Sequence, residues 1–176
     1  MKTKNLLQQL VKDIQVDLTQ EFDRNFERKA FFNQKWSNTK HHNTRGSLML
    51  RTGRLRNSVN SSIHSAQITW KSNVPYAEIH NKGGKVKVTK KMKAFFWAMY
   101  YKSFKAVGDK SSGLRNKKLN QESAKWKAMA LLPEGKVIKI EKRQFIGEHP
   151  VVNRKIHTIV KNNIDKYSQQ IAKKYK

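Results

Sequence analysis

Hydrophobic residues recur at helical spacing in two long segments, one near each end of the chain. Over residues 5–33 the apolar positions are three or four residues apart, so they share one face of a helix. The same spacing runs through residues 150–175, where Pro150 suits the first turn of a helix. The pattern therefore predicts a long N-terminal helix and a long C-terminal helix.

Between these helices, alternation of apolar and polar residues predicts two pairs of strands. Residues 55–63 and 67–72 alternate in this way, and we expect them to pair with each other. Residues 85–88 and 136–141 alternate as well and could form another pair. Helical spacing returns over 89–135, so we expect a helical insertion between the last two strands.

Shorter signals fill the remaining segments. Residues 76–81 have the length of one or two helical turns, which the glycines at 83 and 84 would end. Residues 37–47 and 107–120 are polar and turn-rich, which predicts loops. The class expected from these elements is α+β, and the length indicates a single domain over residues 1–176.

Composition adds a strong positive charge to this α+β pattern. The 176 residues include 38 Lys or Arg against 12 Asp or Glu, which gives a net charge of +26. Residues 1–28 are neutral, so the whole excess lies in 29–176. Self-repulsion on that scale disfavours an isolated compact monomer unless an anionic partner screens it. The positive charge is compatible with several partners: DNA, RNA, an acidic protein ring or an anionic membrane surface. Charge alone does not distinguish among them.

Several functional classes have no support in the residues. The chain has no Cys, which excludes disulfides and thiolate metal sites. Glu78 and His80 are separated by one residue, whereas a helical zinc pair needs i, i+4 spacing. The sequence has no recognisable Ser/His/Asp set, catalytic carboxylate pair or nucleotide-binding fingerprint. We therefore expect no enzyme, no cofactor and no metal site, and no apolar run approaches the roughly 20 residues that span a bilayer.

A first sequence phrase, residues 50–58, combines a glycine with arginines. Gly53 permits a tight turn, and Leu55 is expected to begin a strand and point into the core. Arg54 and Arg56 would then share the opposite face, either as a solvated surface or as contacts to phosphate or carboxylate groups. The cations that we consider candidate contacts to DNA or to a partner protein are Arg51, Arg54, Arg56, Lys85, Lys87, Lys90, Lys91 and Lys93.

The basic segment 90–102 is dense in aromatic residues, and three interpretations of it compete. It could be a helix packed on its own sheet, a helix at a subunit interface, or an amphipathic helix at a membrane surface. Aromatic residues occupy most of the helix circumference, more than one core face requires, which favours a subunit contact in addition to core packing. A second helix is predicted over 121–132. The candidate interface residues are Phe96, Trp97, Tyr100 and Tyr101.

Two further phrases follow the first in a fixed order. Residues 74–84 read Val-Pro-Tyr-Ala-Glu-Ile-His-Asn-Lys-Gly-Gly, and residues 143–147 read Arg-Gln-Phe-Ile-Gly. With the Phe/Trp segment at 32–36, the three phrases resemble the phage virion morphogenesis family, the tail-completion proteins of tailed phages. The resemblance covers about residues 20–165. One departure is that the family's leading Leu falls on Met49 here, which conserves side-chain volume.

The resemblance implies a structural virion protein at the head–tail junction or the tail end. Such a protein completes the tail or joins it to the head as a ring subunit, expected to be hexameric, around the DNA channel. Its partners would be identical subunits, other neck, connector or tail-tube proteins, and the passing double-stranded DNA, with no membrane involved. It would be assembled in the host cytoplasm and reside in the virion. A non-specific nucleic-acid-binding protein that uses the basic stretch 82–118 stays open as the alternative.

The resemblance also implies an architecture: a small curved antiparallel sheet packed by the two long helices, with no catalytic residues. The phrases would then supply turns and core positions. The expected turns are Gly53, Gly83, Gly84 and Gly147. The expected core positions are Leu55, Tyr76, Ile79, Phe145 and Ile146.

Overall fold

The structure of the chain is a computed structural model that describes residues 3–39, 46–107 and 113–174. Parts of the two predicted loops, residues 40–45 and 108–112, lie outside the described residues. The α+β class is confirmed, because long helices and short antiparallel strands are both present.

The N-terminal helix, α1, spans Thr3–Arg28. The apolar pattern predicts a helix up to residue 33, whereas Lys29 adopts a left-handed φ of 54° and ends it. Strands β1 (Ala30–Phe31) and β2 (Gln34–Lys35) follow as a short antiparallel hairpin. The reversal turns the two phenylalanines at 31 and 32 back onto α1, where Phe22 contacts both rings. Burial of these rings therefore outweighs continuation of the helix.

The next elements are the short helix α2 (Arg54–Asn57), strand β3 (Val59–His64) and strand β4 (Gln67–Ser72). β3 and β4 pair as predicted, but the expected start of β3 at Leu55 is wrong. Residues 54–57 instead form one helical turn, closed by the Asn57 N–H donating to the Gly53 carbonyl (2.9 Å). Alternation over so few residues does not distinguish a strand from a helical turn.

The predicted helical insertion is confirmed. After α3 (Ala77–Lys82), strand β5 (Gly84–Lys87) pairs antiparallel with β6 (Val137–Ile140). Between these strands lie two helices, α4 and α5. They span Lys90–Lys105 and Leu114–Ala130. The second helix therefore begins earlier than residue 121, the predicted start. The Val88 N–H donates to the Lys136 carbonyl, and the Gly135 N–H donates to the Val88 carbonyl (both 2.9 Å). These two bonds join the chain just before α4 to the chain just after α5.

In the described residues the strands form three separate two-stranded sheets, so the expectation of one curved sheet is wrong. The physical reason lies in residues 143–147, which run through the core as an irregular extended segment. Side chains, and not a neighbouring strand, satisfy much of the backbone of this segment, as described below.

The C-terminal helix, α6, spans Pro150–Lys174 and packs against α1. At its start the His149 ring stacks on Phe32 (4.8 Å between ring centroids), and further along Lys155 Nζ contacts the Asp17 carboxylate (3.2 Å). One core cluster fills the space between α1, α6 and the β1–β2 hairpin. Its buried members are Leu18, Phe22, Phe31, Phe32 and Val152.

Candidate interaction surface

The three sequence phrases meet in a second core cluster. Leu55 from the first phrase, Ala77 from the second and Phe145 from the third are all buried there, and Phe145 is 0% exposed. Phe26 and Trp36 complete the cluster from α1 and the segment after β2, with ring centroids 5.8 Å apart. Phrases separated by up to about ninety residues of chain therefore build one structural unit.

Residues 143–147 are fastened in this core by hydrogen bonds to side chains. Asn81 Oδ1 accepts from the N–H groups of Phe145 (2.8 Å) and Ile146 (3.2 Å), and Asn81 Nδ2 donates to the Ile146 carbonyl (3.1 Å). Asn25 Nδ2 donates to the Phe145 carbonyl (3.2 Å). Trp36 Nε1 donates to the Gln144 carbonyl (2.7 Å). Because buried backbone groups need partners, these three side chains hold the third phrase in place.

The adjacent glycines at 83 and 84 allow the second phrase to approach the third. Gly83 has a φ of 73°, and a Cβ there would lie 3.0 Å from the backbone nitrogen of Lys142. A Cβ on Gly84 would lie 2.7 Å from the Ile79 Cδ1. The expected turns at Gly53 and Gly147 also have positive φ values, 73° and 129°.

Two of the expected core positions in the second phrase differ from the prediction. Tyr76 is exposed, so its assignment to the core is wrong; its ring lies edge-on to His80 at 5.9 Å. Ile79 is half-buried, as is Ile146 in the third phrase. The helical turn α3 directs Ala77 inward, which leaves the preceding Tyr76 on the outside.

Arg56 is engaged within the fold. Its guanidinium donates to both carboxylate oxygens of Asp23 and to Glu27 Oε1 (2.7 Å), and these bonds raise the pKa of Arg56. The three side chains line an open cleft of about 460 Å³ between α1 and α2. Arg56 therefore fixes α2 on α1, whereas Arg51 and Arg54 are exposed.

Glu21 is the centre of a second ionic group on α1. It accepts from Arg24 (2.8 Å) and Arg28 (2.9 Å), and Lys155 lies 3.3 Å away. Burial alone would raise the pKa of Glu21, but the hydrogen bonds from Arg28 and Arg24 outweigh it and lower the pKa. Four carboxylates of α1 thus form ion pairs with Arg or Lys side chains; they lie at positions 17, 21, 23 and 27.

His80 lies at the contact between the second and third phrases. Its carbonyl accepts from the Arg143 N–H (2.8 Å), while the buried Nδ1 atom has no hydrogen-bond partner. Burial lowers the pKa of His80, and the nearby Arg143 lowers it further. The ring is therefore neutral at physiological pH.

The helices α4 and α5 pack on each other through the face of α4 that carries Phe96. Phe96 is buried and stacks on Trp126 of α5 (6.0 Å between centroids), and Phe95 contacts the same indole edge-on (5.9 Å). Phe96, one of the candidate interface residues, is therefore core within this hairpin and is not available to a partner.

A different face of α4 carries a row of neighbouring aromatic rings, which we call the aromatic face: Trp97, Tyr100, Tyr101 and Phe104. Trp97 stacks on Tyr101 with centroids 6.0 Å apart, and Tyr100 lies 5.7 Å from Phe104. Tyr101 is 54% exposed and Phe104 56% exposed. Exposed rings in a continuous row mark an interaction surface more often than singly scattered ones do.

Lysines frame the aromatic face. With 3.6 residues per turn, Lys90, Lys93 and Lys105 fall within the same arc of about 140° as the four rings. α4 carries no acidic residue, and residues 84–140 contain 15 Lys or Arg and three acids, a net charge of +12 (15 − 3). The candidate contact Lys91 lies on α4, and Lys85 and Lys87 lie on β5 at the base of the insertion; all three are exposed. The insertion is therefore a strongly cationic arm.

Some of the important residues lie outside the sequence prediction. Asn25 occurs on the apolar stripe of α1 between Phe22 and Phe26, and a polar residue in a core-facing stripe indicates a buried hydrogen-bonding role. Asn81 lies inside the second phrase, but nothing in the pattern assigns its amide to residues 145 and 146. Phe104 continues the 97, 100, 101 spacing by one helical turn and could have been included with the candidate interface residues.

No protein-family model, curated protein or solved structure matches the chain. Within residues 3–39, 46–107 and 113–174, no group of three or more His, Asp or Glu side chains is placed to hold a metal ion. None of the helices in that part of the chain has the length and apolarity required to cross a membrane. A functional assignment therefore depends on the phrases and on the surfaces described above.

Proposed function

We propose that this chain is a structural virion protein at the head–tail junction or tail end of a tailed phage. In this role it completes the tail or joins it to the head as one subunit of a hexameric ring around the DNA channel. The observation that carries the proposal is the meeting of the three phrases in one core through Leu55, Ala77 and Phe145. This supports treating the phrases as one architectural unit and not as three chance matches to the tail-completion pattern.

The cationic insertion is the feature that suits assembly. A closed ring needs heterologous interfaces, in which two different patches of one subunit meet. The aromatic face of α4 is one candidate patch, and the loop at 37–47 is the other, of which residues 37–39 and 46–47 are described. The lysines of the arm would face the DNA in the channel or an acidic ring of a neighbouring neck, connector or tail-tube protein. The proposed role is architectural and involves no catalysis.

Electron microscopy of the purified full-length chain tests this proposal. Because a subunit of net charge +26 repels its copies, rings should form at high salt or with a polyanion and dissociate at low salt. Class averages should show closed rings with a central opening wide enough for duplex DNA. Particles without rotational symmetry under all of these conditions would contradict the ring.

A second candidate function is non-specific nucleic-acid binding through the basic stretch 82–118. The observation that favours it is that α4 has several lysines and no acid, while four of the five acids of α1 form ion pairs elsewhere. Phosphate binding of this kind weakens linearly in log affinity with log salt concentration. Steep salt dependence of DNA binding by a monomer would favour this candidate over the ring.

A further inference from the structure

The aromatic face of α4 combines two chemistries that few partners satisfy together. Tyr101 and Phe104 are exposed and Trp97 and Tyr100 are half-buried, so the face offers flat π surfaces, and the lysines beside them add positive charge. On the arc that carries the rings, the other side chains are Lys90, Lys93, Lys105 and Ala94; no Leu, Ile or Val lies among them. The apolar groups of this face are therefore almost entirely aromatic.

We propose that the aromatic face binds single-stranded nucleic acid, with bases stacked on Trp97, Tyr101 and Phe104 and phosphates held by the lysines. Aromatic side chains beside a cationic track are the means by which proteins bind single strands without sequence preference. A duplex offers phosphates but keeps its base faces stacked internally, so it uses the lysines and not the rings. This goes beyond the ring subunit, and it adds base stacking to the charge-only binding of the second candidate function.

The dimensions of the face suit a short stretch of strand. The rings from 97 to 104 extend about 10 Å along the helix axis at 1.5 Å per residue, and the lysines from 90 to 105 extend about 22 Å. With stacked bases about 3.4 Å apart, the rings would accommodate about three nucleotides. The flanking lysines would then reach phosphates on either side of those nucleotides.

An acidic protein is the alternative occupant, and the composition of the face favours nucleic acid over it. Protein interface cores are depleted in Lys, whereas three lysines lie within the arc of the rings here. A polyanion with exposed π faces would bring both charge and rings into contact at once.

The test uses the full-length chain and three probes of matched charge: a single-stranded adenine oligonucleotide, its duplex with the thymine complement, and linear polyphosphate. Stacking on Trp97 should quench tryptophan fluorescence with the single strand alone, because only the single strand offers free base faces. The other three tryptophans are engaged within the fold: Trp36 is buried, Trp70 packs edge-on to Phe22, and Trp126 stacks on Phe96. Trp97→Phe should remove most of that quenching while largely keeping the affinity, since a flat ring remains.

The deciding variant is Tyr101→Leu with Phe104→Leu, which keeps apolar volume but removes two flat rings. Its affinity for the single strand should fall about tenfold or more, with polyphosphate affinity unchanged. Phe95→Leu is the matched control, because Phe95 is also 54% exposed but lies about 160° around the helix from Trp97. Circular dichroism spectra should show that all the variants remain folded.

Two results would overturn the proposal. If the Tyr101/Phe104 variant binds the single strand as tightly as the parent chain, the rings do not stack with bases. If the parent chain binds duplex and polyphosphate as tightly as single strand, charge alone accounts for binding and the second candidate function stands without stacking. Because this face is also a candidate ring contact, ring formation by the parent chain and by the Tyr101/Phe104 variant is measured separately by electron microscopy. Closed rings of the parent chain that form while its aromatic side chains fail to stack with bases would count against this proposal alone, so its failure and the failure of the ring are distinguishable.

Discussion

Replacement of Asn81 by alanine should destabilise the fold, because this amide makes three of the hydrogen bonds that hold the third phrase in the core. It accepts from two backbone N–H groups, those of Phe145 and Ile146, and donates to the Ile146 carbonyl. Each such hydrogen bond contributes about 0.5–1.5 kcal/mol net. Loss of all three therefore lowers the free energy of unfolding by roughly 3 kcal/mol, a large part of the 5–15 kcal/mol typical of a domain.

Urea denaturation at fixed salt measures this change as a shift in midpoint at constant slope. Asn81→Asp should lose less than Asn81→Ala, because a carboxylate still accepts from both N–H groups. Asn162→Ala is the matched control: Asn162 is exposed on α6, and the change should stay within about 0.5 kcal/mol. A loss below about 1 kcal/mol for Asn81→Ala would refute the claim that side chains, and not a strand, hold residues 143–147.

Three further changes test other parts of the fold. Gly83→Ala should destabilise by about 1–3 kcal/mol, since it places a Cβ at positive φ against the Lys142 backbone; thermal melts should show a smaller loss for Gly113→Ala, the N-cap of α5, where φ is −74° and a Cβ meets nothing within 4 Å. Arg56→Glu should cost about 1 kcal/mol or more by placing three carboxylates together, whereas the exposed Arg54→Glu should be near neutral; equal losses would place the contact of Arg56 with α1 in doubt. Because the pKa of Glu21 is lowered in the folded chain, its contribution to stability is present above its ordinary pKa of 4.5 and is lost as pH falls through the folded value. Glu21→Gln should remove that part of the acid sensitivity in a pH series of urea melts, and an unchanged pH profile would contradict the role given to Glu21.

Long periodic segments and paired strands could be predicted from the sequence. The apolar stripes of α1 and α6 repeat over 26 and 25 residues, so they identify element type well. The end of α1 could not be placed, because Lys29 takes a left-handed conformation that is usually marked by Gly or Asn. The four-residue helix α2 could not be distinguished from a strand, since so short a segment has no period.

The sequence predicts which segment carries the candidate site, but it does not predict which side of helix α4 is left uncovered. The density of aromatic residues in α4 is visible in the sequence, whereas the choice between Phe96 and Phe104 depends on where Trp126 of α5 packs. The role of Arg56 is likewise a tertiary property, because Asp23 and Glu27 come from a helix about thirty residues earlier in the chain. Spacing along the chain does not encode either contact.

The proposed role as a ring subunit is tested most directly by the mass of the full-length chain in solution, measured at low and high salt and with and without DNA. We expect a discrete closed oligomer, six copies of the 20.6 kDa chain, once salt or DNA screens the charge. A monomer that persists under every condition, coats DNA at low salt and releases it at high salt would contradict the ring.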